Sequence, residues 1–265
     1  MDNDAPPLAV PAAELRLLLC RARHIERWAR HDLRASFWRL YWNPSPGAWI
    51  EAGGERHALT PDVRVLIGPQ TRCFGGHDRP FEHVFLHFTL GEGLRVGPGL
   101  IDRRPLTVAT RNRLDALRSA VADRQACPAP LALDLHRLVF DELLHVPSQS
   151  WLPPARDPRI RAALTLLRAS LSDPPGNDRL AAWAGMHSGS FVRLFTREVG
   201  LPPRRWVLLE RLDRATEDLL HAGLTVEEAA ERWGFADRQH FARALRKHRH
   251  LQPGTVRRQR SVVRP

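Results

Sequence analysis

Residues 177–195, NDRLAAWAGMHSGSFVRLF, predict two short helices separated by a tight turn. Asp178 can cap the first helix, and Gly185 can adopt the left-handed conformation that ends it. A second helix starts at once, with His187 or Ser188 at its N-cap. The apolar residues of this second helix recur at the i, i+3, i+4 spacing of one buried stripe: Phe191, Leu194 and Phe195.

The opposite face of that second helix is polar and basic. It carries Ser190, Arg193, Thr196 and Arg197. Small residues at positions 181, 182, 184 and 185 allow the two helices to cross closely. A close pair of helices with a polar outer face is the geometry of a helix-turn-helix, whose second helix enters the major groove of DNA.

A second stretch, TVEEAAERWGFADRQHFARAL at residues 225–245, repeats this plan. Thr225 and Glu228 have the spacing of a capping box, Gly234 is placed to make the turn, and Asp237 can cap the following helix. That helix is predicted to bury Phe241, Ala244 and Leu245, and to expose Arg238, Gln239, Ala242, Arg243 and Arg246. The chain therefore contains two units of the same kind.

The spacing of the two turns leaves room for one long helix between the units. Gly185 and Gly234 are 49 residues apart. Pro202 and Pro203 are typical of a helix start. The apolar face that follows consists of Trp206, Val207, Leu209, Leu212, Ala215, Leu219 and Leu220.

Residues 157–258 resemble the DNA-binding domain of the AraC/XylS family of bacterial transcription regulators. The motifs that carry the resemblance are LAAWAGM, RLFTREVG, RLDRATEDLL, EEAAERWGFAD, HFARALRKH and QPGTVR. The resemblance implies two helix-turn-helix units that read successive major grooves on one face of the duplex. Three positions depart from the family: Gly189 and Val192 replace larger reading side chains, and His250 replaces the usual glycine.

Base reading requires side chains that make two hydrogen bonds to one base edge, as arginine does to guanine and glutamine to adenine. The resemblance aligns four such residues with base-contacting positions of the family: Arg193, Arg238, Gln239 and Arg243. A second group is predicted to bind backbone phosphates: Ser190, Thr196, Arg197, His240, Arg246 and Lys247. A solvated helix face is the alternative for any single arginine, but it accounts poorly for the whole set.

The net charge of the chain is +11, and its placement matters more than its size. Residues 156–265 hold 21 Lys and Arg against 12 Asp and Glu, a net charge of +9. Residues 1–155 hold 19 against 17, a net charge of +2. A general preference for arginine would raise the total without producing this asymmetry. The C-terminal half therefore has the charge expected of a domain that binds a polyanion.

The composition is that of a globular chain long enough for two domains, with 43% hydrophobic and 26% charged residues in 265. No apolar run approaches the length of a membrane span, and no signal peptide is indicated. Cys20, Cys73 and Cys127 are widely spaced and odd in number. We therefore expect a reducing, cytoplasmic compartment and no disulfide framework.

From residue 36 the pattern changes to short strands with Pro- and Gly-rich corners. The candidate strands are FWRLYW, AWIEA, RHAL, VRVLI, TRCF and HVFLHFTL. They indicate a small antiparallel barrel, and this portion is similar, more weakly, to the cupin-like sensor of sugar-responsive members of the family. Residues 1–35 are predicted to be an arm, or a helix on the barrel, because residues 12–31 are rich in Ala, Leu and Arg.

Alternation along the last candidate strand puts His83, Phe85 and His87 on one face. Such a face suits a small polar effector, possibly a sugar, and the resemblance implies that His83 and Phe85 lie at that sugar. Trp42 is a further effector-binding candidate. An ordinary core or solvated histidine is the alternative. The H-x-H ligand spacing of catalytic cupins is absent, so we predict no metal, no cofactor and no enzyme activity.

Two helices are predicted after the barrel, at residues 111–124 and 131–145. They either pair with a second copy of the chain, as is common in the family, or close the open side of the barrel. Residues 147–157, PSQSWLPPARD, have the composition of a linker. The predicted segments are an arm at 1–35, a sensor at 36–146, a linker at 147–157 and a DNA-binding domain at 158–265.

The sequence thus predicts a one-component transcription regulator of the α+β class. A cupin-like antiparallel barrel with flanking helices would precede an all-α domain of two helix-turn-helix units joined by a long helix. Double-stranded DNA and a small effector are the predicted partners, with RNA polymerase and a second copy of the chain as further candidates. Two alternatives stay open: a small-molecule enzyme fused to a DNA-binding domain, and an effector-independent architectural DNA-binding protein.

Overall fold

The computed structural model describes residues 14–26, 28, 35–91, 94–122, 129–152, 155, 157–249, 251–254 and 256. The chain divides into two compact units, residues 1–153 and residues 154–265. In the described ranges the first unit consists of antiparallel strands with two helices, and the second is helical. The α+β class expected from the sequence is confirmed.

The strands of the first unit pair in three antiparallel sheets. The strands are β1 (Leu15–Ile25), β2 (Trp38–Trp42), β3 (Ala48–Ala52), β4 (Glu55–Leu59), β5 (Val63–Ile67), β6 (Phe74–His77), β7 (Phe81–Leu90), β8 (Arg95–Val96), β9 (Ile101–Pro105) and β10 (Trp151–Leu152). The largest sheet has the order β1-β7-β2-β5-β9, the second has the order β4-β3-β6, and β8 pairs with β10.

One face of the five-stranded sheet packs against two helices, α1 (Val108–Ala122) and α2 (Ala129–Leu143). The core between them includes Trp38, Leu40, Trp42, Leu66, Val84, Leu86 and Phe88 from the sheet, and Leu114, Leu117, Leu135, Leu138, Val139 and Leu143 from the helices. The apolar stripes expected on the two helices are therefore used to cover the sheet. Leu133 and Leu144 of the helical segment stay 71% and 83% exposed. The apolar side chain of Val121, in the helix predicted at residues 111–124, lies outside the described residues.

The expectation of a helix or loose arm within residues 12–31 is wrong where the structure describes this segment. It forms β1, which pairs along β7 with Leu15 opposite Leu90. Cys20 and Ala22 of this strand pack against the helix-covered core. Helix propensity is a weak preference, below about 1 kcal/mol per residue, and long-range pairing with burial outweighs it.

The strand expected at TRCF, residues 71–74, is displaced, since β6 begins only at the last of these residues. Gly75 and Gly76, which suggested a turn, lie inside the strand instead. Aromatic rings cover their backbone: a Cβ on Gly75 would lie 2.7 Å from the ring of Trp28, and one on Gly76 would lie 2.2 Å from the ring of Trp49. These glycines are needed for close approach rather than for chain reversal.

Part of the predicted linker belongs to the first unit. Residues 148–150 form a 3-10 turn, and β10 pairs Trp151 with Val96. The ring of Trp151 lies 5.9 Å from that of Trp38, centroid to centroid. Its composition indicated a linker. Its regular structure depends on pairing with β8, which is distant in the chain.

A buried charge network ties the sheet to α1 and α2. Arg64 of β5 has a side chain only 1% exposed, and its Nη1 atom lies 2.7 Å from a carboxylate oxygen of Asp102. Its Nε atom donates to Glu142 of α2, which also accepts from the hydroxyl of Thr110 in α1. Removing Arg64 would leave the buried Glu142 carboxylate without its cationic partner, which is strongly destabilising.

The second unit contains six α-helices in its described residues: α3 (Pro158–Ala169), α4 (Asn177–Trp183), α5 (Ser188–Val199), α6 (Pro203–Glu217), α7 (Val226–Arg232) and α8 (Arg238–Arg249). The pairs α4–α5 and α7–α8 are the two expected helix-turn-helix units, with α6 between them. Gly185 and Gly234 have φ angles of 65° and 70°, as the turns require. The long helix starts at Pro203 as expected, but residues 218–222 continue it as one wider, π-helical turn.

The caps expected from the sequence are only partly as observed. Thr225 and Glu228 form the capping box: the Glu228 amide donates to Thr225 Oγ1 at 3.2 Å, and the Thr225 amide donates to Glu228 Oε2 at 2.7 Å. Asp178 does not cap α4, because that helix starts at Asn177 with Gly176 at its N-cap. Asp178 lies in the first turn, where its charge favours the positive end of the helix dipole.

Each helix-turn-helix unit has its own core, and α6 contributes to both. Trp206 and Val207 pack with Phe191, Leu194 and Phe195 in the first core. The second core contains Leu212, Ala215, Leu219, Ala229, Ala230, Phe235, Phe241, Ala244 and Leu245. One helix therefore forms part of both cores. Across the described ranges, no helix combines the length and apolar character needed to cross a bilayer.

The loop between α3 and α4 packs on the second turn. Arg211 of α6 donates to the carbonyl oxygens of Leu171, of Ser172 at 2.8 Å and of Gly234 at 3.2 Å. A Cβ on Gly234 would lie 2.1 Å from the Ser172 carbonyl oxygen. By contrast, no described atom outside its immediate neighbours lies within 4 Å of a Cβ built on Gly185. The two turns have similar backbone angles but different surroundings.

Candidate nucleic-acid interface

The polar faces of α5 and α8 are on the surface of the second unit. All four residues predicted to read bases are exposed: Arg193, Arg238, Gln239 and Arg243. Their helices are anchored from the opposite side, because Phe191 and Phe195 of α5 and Phe241 and Leu245 of α8 are fully buried. Amphipathic packing therefore presents guanidinium and amide groups to the solvent.

Arg193 in the first reading helix is held by a neighbour on its own helix. Its Nη2 atom donates to the hydroxyl of Ser190 at 3.2 Å. A Cβ on Gly189 would lie 3.6 Å from Nη1 of Arg193, an ordinary van der Waals distance, so position 189 lies directly beside the guanidinium. Ser190 was predicted to bind a backbone phosphate. In the structure its hydroxyl also accepts the hydrogen bond from Arg193 and so orients that side chain.

Arg238, the first residue of α8, is held by a residue of the preceding helix. Its Nη1 atom lies 2.6 Å from Oε1 of Glu227 in α7. The side chains are 65% and 56% exposed, so the pair lies in solvent. Glu227 was not among the predicted site residues. A carboxylate eleven residues before a reading arginine carries no motif, so only folding could show that the two meet.

The start of α8 is fixed by its predicted cap. Oδ1 of Asp237 accepts a hydrogen bond from the His240 amide at 2.6 Å. This hydrogen bond lowers the pKa of the Asp237 carboxyl, so the cap stays charged to a lower pH than an ordinary aspartate would. The end of α8 is held by Arg249, whose Nε and Nη2 atoms donate to the Asp213 carboxylate at 2.7 and 2.6 Å.

The residues predicted to contact phosphates differ in what they can donate. Arg197 is 73% exposed, and Arg246 and Lys247 lie exposed in the last turn of α8. His240 is also exposed. Thr196 is different, because its hydroxyl donates to the Val192 carbonyl at 2.7 Å. A phosphate oxygen needs a donor, so Thr196 could serve one only by giving up that bond. His250, a departure from the family pattern, lies outside the described residues.

The sheet face opposite the helices is aromatic and carries two of the three predicted effector residues. His83 and Phe85 are 6% and 4% exposed, and their ring centroids are 5.0 Å apart. Tyr41 lies 4.7 Å from His83, and Trp28 lies 5.3 Å from it. Trp28 was not predicted to take part. The third candidate, Trp42, lies on the other face within the helix-covered core, so it shares no surface with the other two.

His83 and Asn43 form a buried polar pair on this face. Nδ1 of His83 and Oδ1 of Asn43 lie 2.7 Å apart, a hydrogen bond when Nδ1 carries the proton. Burial lowers the pKa of the His83 imidazole to about 3, so the ring is neutral at physiological pH. Nδ2 of Asn43 is buried and has no partner among the described residues. Those residues also contain no group of three or more His, Cys, Asp or Glu side chains that could hold a metal ion.

Comparison with known proteins bears on the second unit most directly. Residues 180–259 match a family model described as a helix-turn-helix domain. The transcriptional regulator GbdR of Pseudomonas aeruginosa is 27% identical over 108 residues, which are 41% of this chain. The chain thus spans only 29% of the length of that curated relative.

Solved structures extend the likeness to the fold. A transcriptional regulator with an AraC-type DNA-binding domain from Chromobacterium violaceum is 28% identical over 39% of this chain and 93% of its own, with a TM-score of 0.37. ToxT from Vibrio cholerae aligns over 92% of this chain and 97% of its own, with a TM-score of 0.58 and 10% identity. Another ToxT structure is described as bound to an unsaturated fatty acid.

The similarity to ToxT covers most of the chain and shows that the two proteins share a fold. At 10% identity it shows the fold alone. The match to the family model lies in the helical unit, where the exposed arginines, the two turns and the capping box are found. The second unit therefore contains a helix-turn-helix domain, and the resemblance to the AraC/XylS family fits these similarities.

Proposed function

We propose that the protein is a one-component transcription regulator that binds specific DNA sites through α5 and α8 and responds to a small effector held by the first unit. The observation that supports the DNA-binding role most strongly is the pair of exposed reading helices, each anchored by its own buried core. Arg193, Arg238, Gln239 and Arg243 would read bases, and Ser190, Arg197, His240, Arg246 and Lys247 would contact phosphates.

The DNA-binding role is tested by selection from a random duplex library, followed by binding measurements on the selected site across salt. A regulator of this kind would select a defined sequence, and log affinity would fall linearly with log salt because phosphate contacts release counterions. Arg243→Ala should reduce the preference at one base pair, whereas Lys247→Ala should weaken all sequences about equally. Binding without any sequence preference would favour an architectural protein instead.

We propose the aromatic face of the five-stranded sheet as the effector site, with His83 and Phe85 in contact with the ligand. A buried amide nitrogen without a partner is costly, and an effector hydroxyl or carbonyl oxygen would accept a hydrogen bond from Asn43 Nδ2. The flat rings of Phe85 and Trp28 would stack on the body of the ligand. A neutral polar molecule such as a sugar meets both requirements.

A carboxylate effector is the second candidate, favoured by two arginines. Arg21 and Arg23 of β1 lie opposite Phe85 and His83 in the register, so their side chains share that face. Burial and the neighbouring charge of Arg21 lower the pKa of Arg23, so a nearby anion would relieve the repulsion. The unsaturated fatty acid described as bound to ToxT is a ligand of this class in a protein of similar fold.

The two effector classes are separated by direct binding measurements on the full chain. A panel of pentoses and hexoses would be compared with oleate and its neutral amide, with calorimetry as the readout. Preference for a sugar that Asn43→Leu abolishes supports the first class, and preference for oleate over the amide supports the second. Any ligand that binds would then be assayed for turnover, since chemical conversion would favour the enzyme alternative.

Regulation would follow from coupling between the effector and DNA sites, which requires different effector affinities for two arrangements of the protein. We propose that residues 36–146 sense the effector and residues 158–265 bind DNA.

Leu133 and Leu144 on the outer side of the α2 segment offer a surface for a second copy of the chain, and RNA polymerase is a further candidate partner. These roles imply a cytoplasmic protein.

A further inference from the structure

We infer that Glu227 determines the base specificity of the second helix-turn-helix unit by holding the guanidinium of Arg238, an inference that rests on the DNA-reading role proposed for α8. Arg238 Nη1 and Glu227 Oε1 are 2.6 Å apart, and the contact joins the first turn of α7 to the first residue of α8. A flexible arginine is thereby oriented before DNA arrives. Glu227 is a positioning residue, because it acts through Arg238 and not on the base.

The contact is not needed to hold the two helices together. Exposed ion pairs contribute little to folding, and both members of this one are more than half exposed. The start of α7 is already fixed by the Thr225–Glu228 capping box, and the start of α8 by the Asp237 cap. The core between the helices is independent of both side chains. A role in recognition therefore explains the pair better than a role in stability.

The hydrogen-bond geometry leaves the arginine able to read a base. A guanidinium carries five N–H donors in a rigid fork, and the hydrogen bond to Glu227 uses Nη1. The edge formed by Nε and Nη2 stays available for the two acceptors of a guanine. Fixing one corner of the fork limits the directions in which that edge can point. The carboxylate thus favours one register of the guanine contact over others.

The charge of Glu227 gives the pair a second effect. A carboxylate on a DNA-binding surface repels phosphates, so it weakens binding to every sequence alike. Specificity is a difference of affinities, and a group that penalises all sequences while orienting the contact to one base increases that difference. In the first helix-turn-helix unit, by contrast, Arg193 is held by the neutral hydroxyl of Ser190. Only in the second helix-turn-helix unit, among the described residues, does one carboxylate both orient a reading arginine and repel the DNA phosphates.

The test uses the full chain and compares Glu227→Gln with Glu231→Gln. Both substitutions remove one negative charge from α7, but no ion pair joins Glu231 to a reading residue in the described part of the chain. Selection from a random duplex library would be run on these variants, the wild type and Arg238→Ala. The last variant identifies the base pair that Arg238 reads.

We expect Glu227→Gln to lose about tenfold in preference at the base pair identified by Arg238→Ala, within the range for one bidentate contact. It should also bind a random-sequence duplex more tightly than the wild type, while its melting temperature is unchanged. Glu231→Gln should keep the preference.

An unchanged preference in Glu227→Gln, or an equal loss in Glu231→Gln, would overturn the inference. An Arg238→Ala profile identical to wild type would also overturn it, since Glu227 could then not act through that arginine. Absence of any sequence preference in the wild type would instead refute the proposed DNA-reading function.

Discussion

Replacing the turn glycine of each helix-turn-helix unit by alanine should have very different costs. Gly185 and Gly234 have nearly the same left-handed φ, 65° and 70°, so alanine suffers similar backbone strain at both. That strain is about 1–2 kcal/mol. It is partly offset by the lower entropy of the unfolded chain, by about 0.4–1 kcal/mol. We expect Gly185→Ala to lose about 1 kcal/mol of unfolding free energy.

Gly234→Ala adds a steric conflict that Gly185→Ala lacks. The new Cβ would lie 2.1 Å from the carbonyl oxygen of Ser172, which is backbone and cannot turn aside. The same oxygen accepts the 2.8 Å hydrogen bond from Arg211, so a shift of the loop also weakens that contact. Overpacking costs about 1–3 kcal/mol, and a charge-assisted hydrogen bond is worth about 1.5–3 kcal/mol. We expect a total loss of about 3–5 kcal/mol.

The assay is urea unfolding of the full chain, followed by hydrogen exchange of the amides in α7 and α8. These amides report on the stability of the second helix-turn-helix unit separately from the rest of the molecule. Gly185→Ala is the matched control, with the same substitution at a similar backbone angle. Equal losses in the two variants would refute the reasoning, because backbone strain alone would then account for both. A smaller loss at Gly234 would refute it more strongly.

Three further predictions follow from individual contacts. Thr225→Ala should lower the stability of the second unit by about 1 kcal/mol in thermal unfolding, because it removes the capping-box hydroxyl; a loss near zero would mean that Glu228 alone suffices. Arg249→Gln should cost about 1.5–3 kcal/mol, since its two bonds to Asp213 are largely shielded from solvent, and a double-mutant cycle showing no coupling would exclude this explanation. The folded-state pKa of His83 is lowered to about 3 from an ordinary value near 6.5, so the unfolded chain binds more protons between these values. The first unit should therefore lose stability as pH falls from about 6.5 towards 3, at up to about 1.4 kcal/mol per pH unit, and His83→Phe should flatten that part of the melting-temperature profile.

The reading helices could be predicted because their signals are local. The stripe of Phe191, Leu194 and Phe195, the Thr225 cap and the left-handed Gly234 all act within one or two turns of chain. Hydrophobic periodicity and capping chemistry need no distant partner, so the sequence alone specifies them. The exposure of Arg193 follows from the same periodicity.

The sheet was harder to predict because its strands are defined by partners far away in the chain. The segment that forms β1 has helical composition, yet its pairing partners in β7 lie 56 to 75 residues further along the chain. Gly75 and Gly76 suggest a turn until Trp28 and Trp49 are seen to lie on them. Strand pairing is a non-local property, so local composition misplaces such segments.

The sequence by itself determined two helix-turn-helix units, the helix between them, the caps of the second unit and the basic face they expose, since each depends on residues within a few turns of each other. Only the tertiary structure decided that Trp42 faces away from His83, that Asn43 keeps a buried nitrogen without a described partner, and that Glu227 holds Arg238. The physical reason is that these features depend on which side chains meet after folding, and a contact between distant residues leaves no periodic signal in the chain.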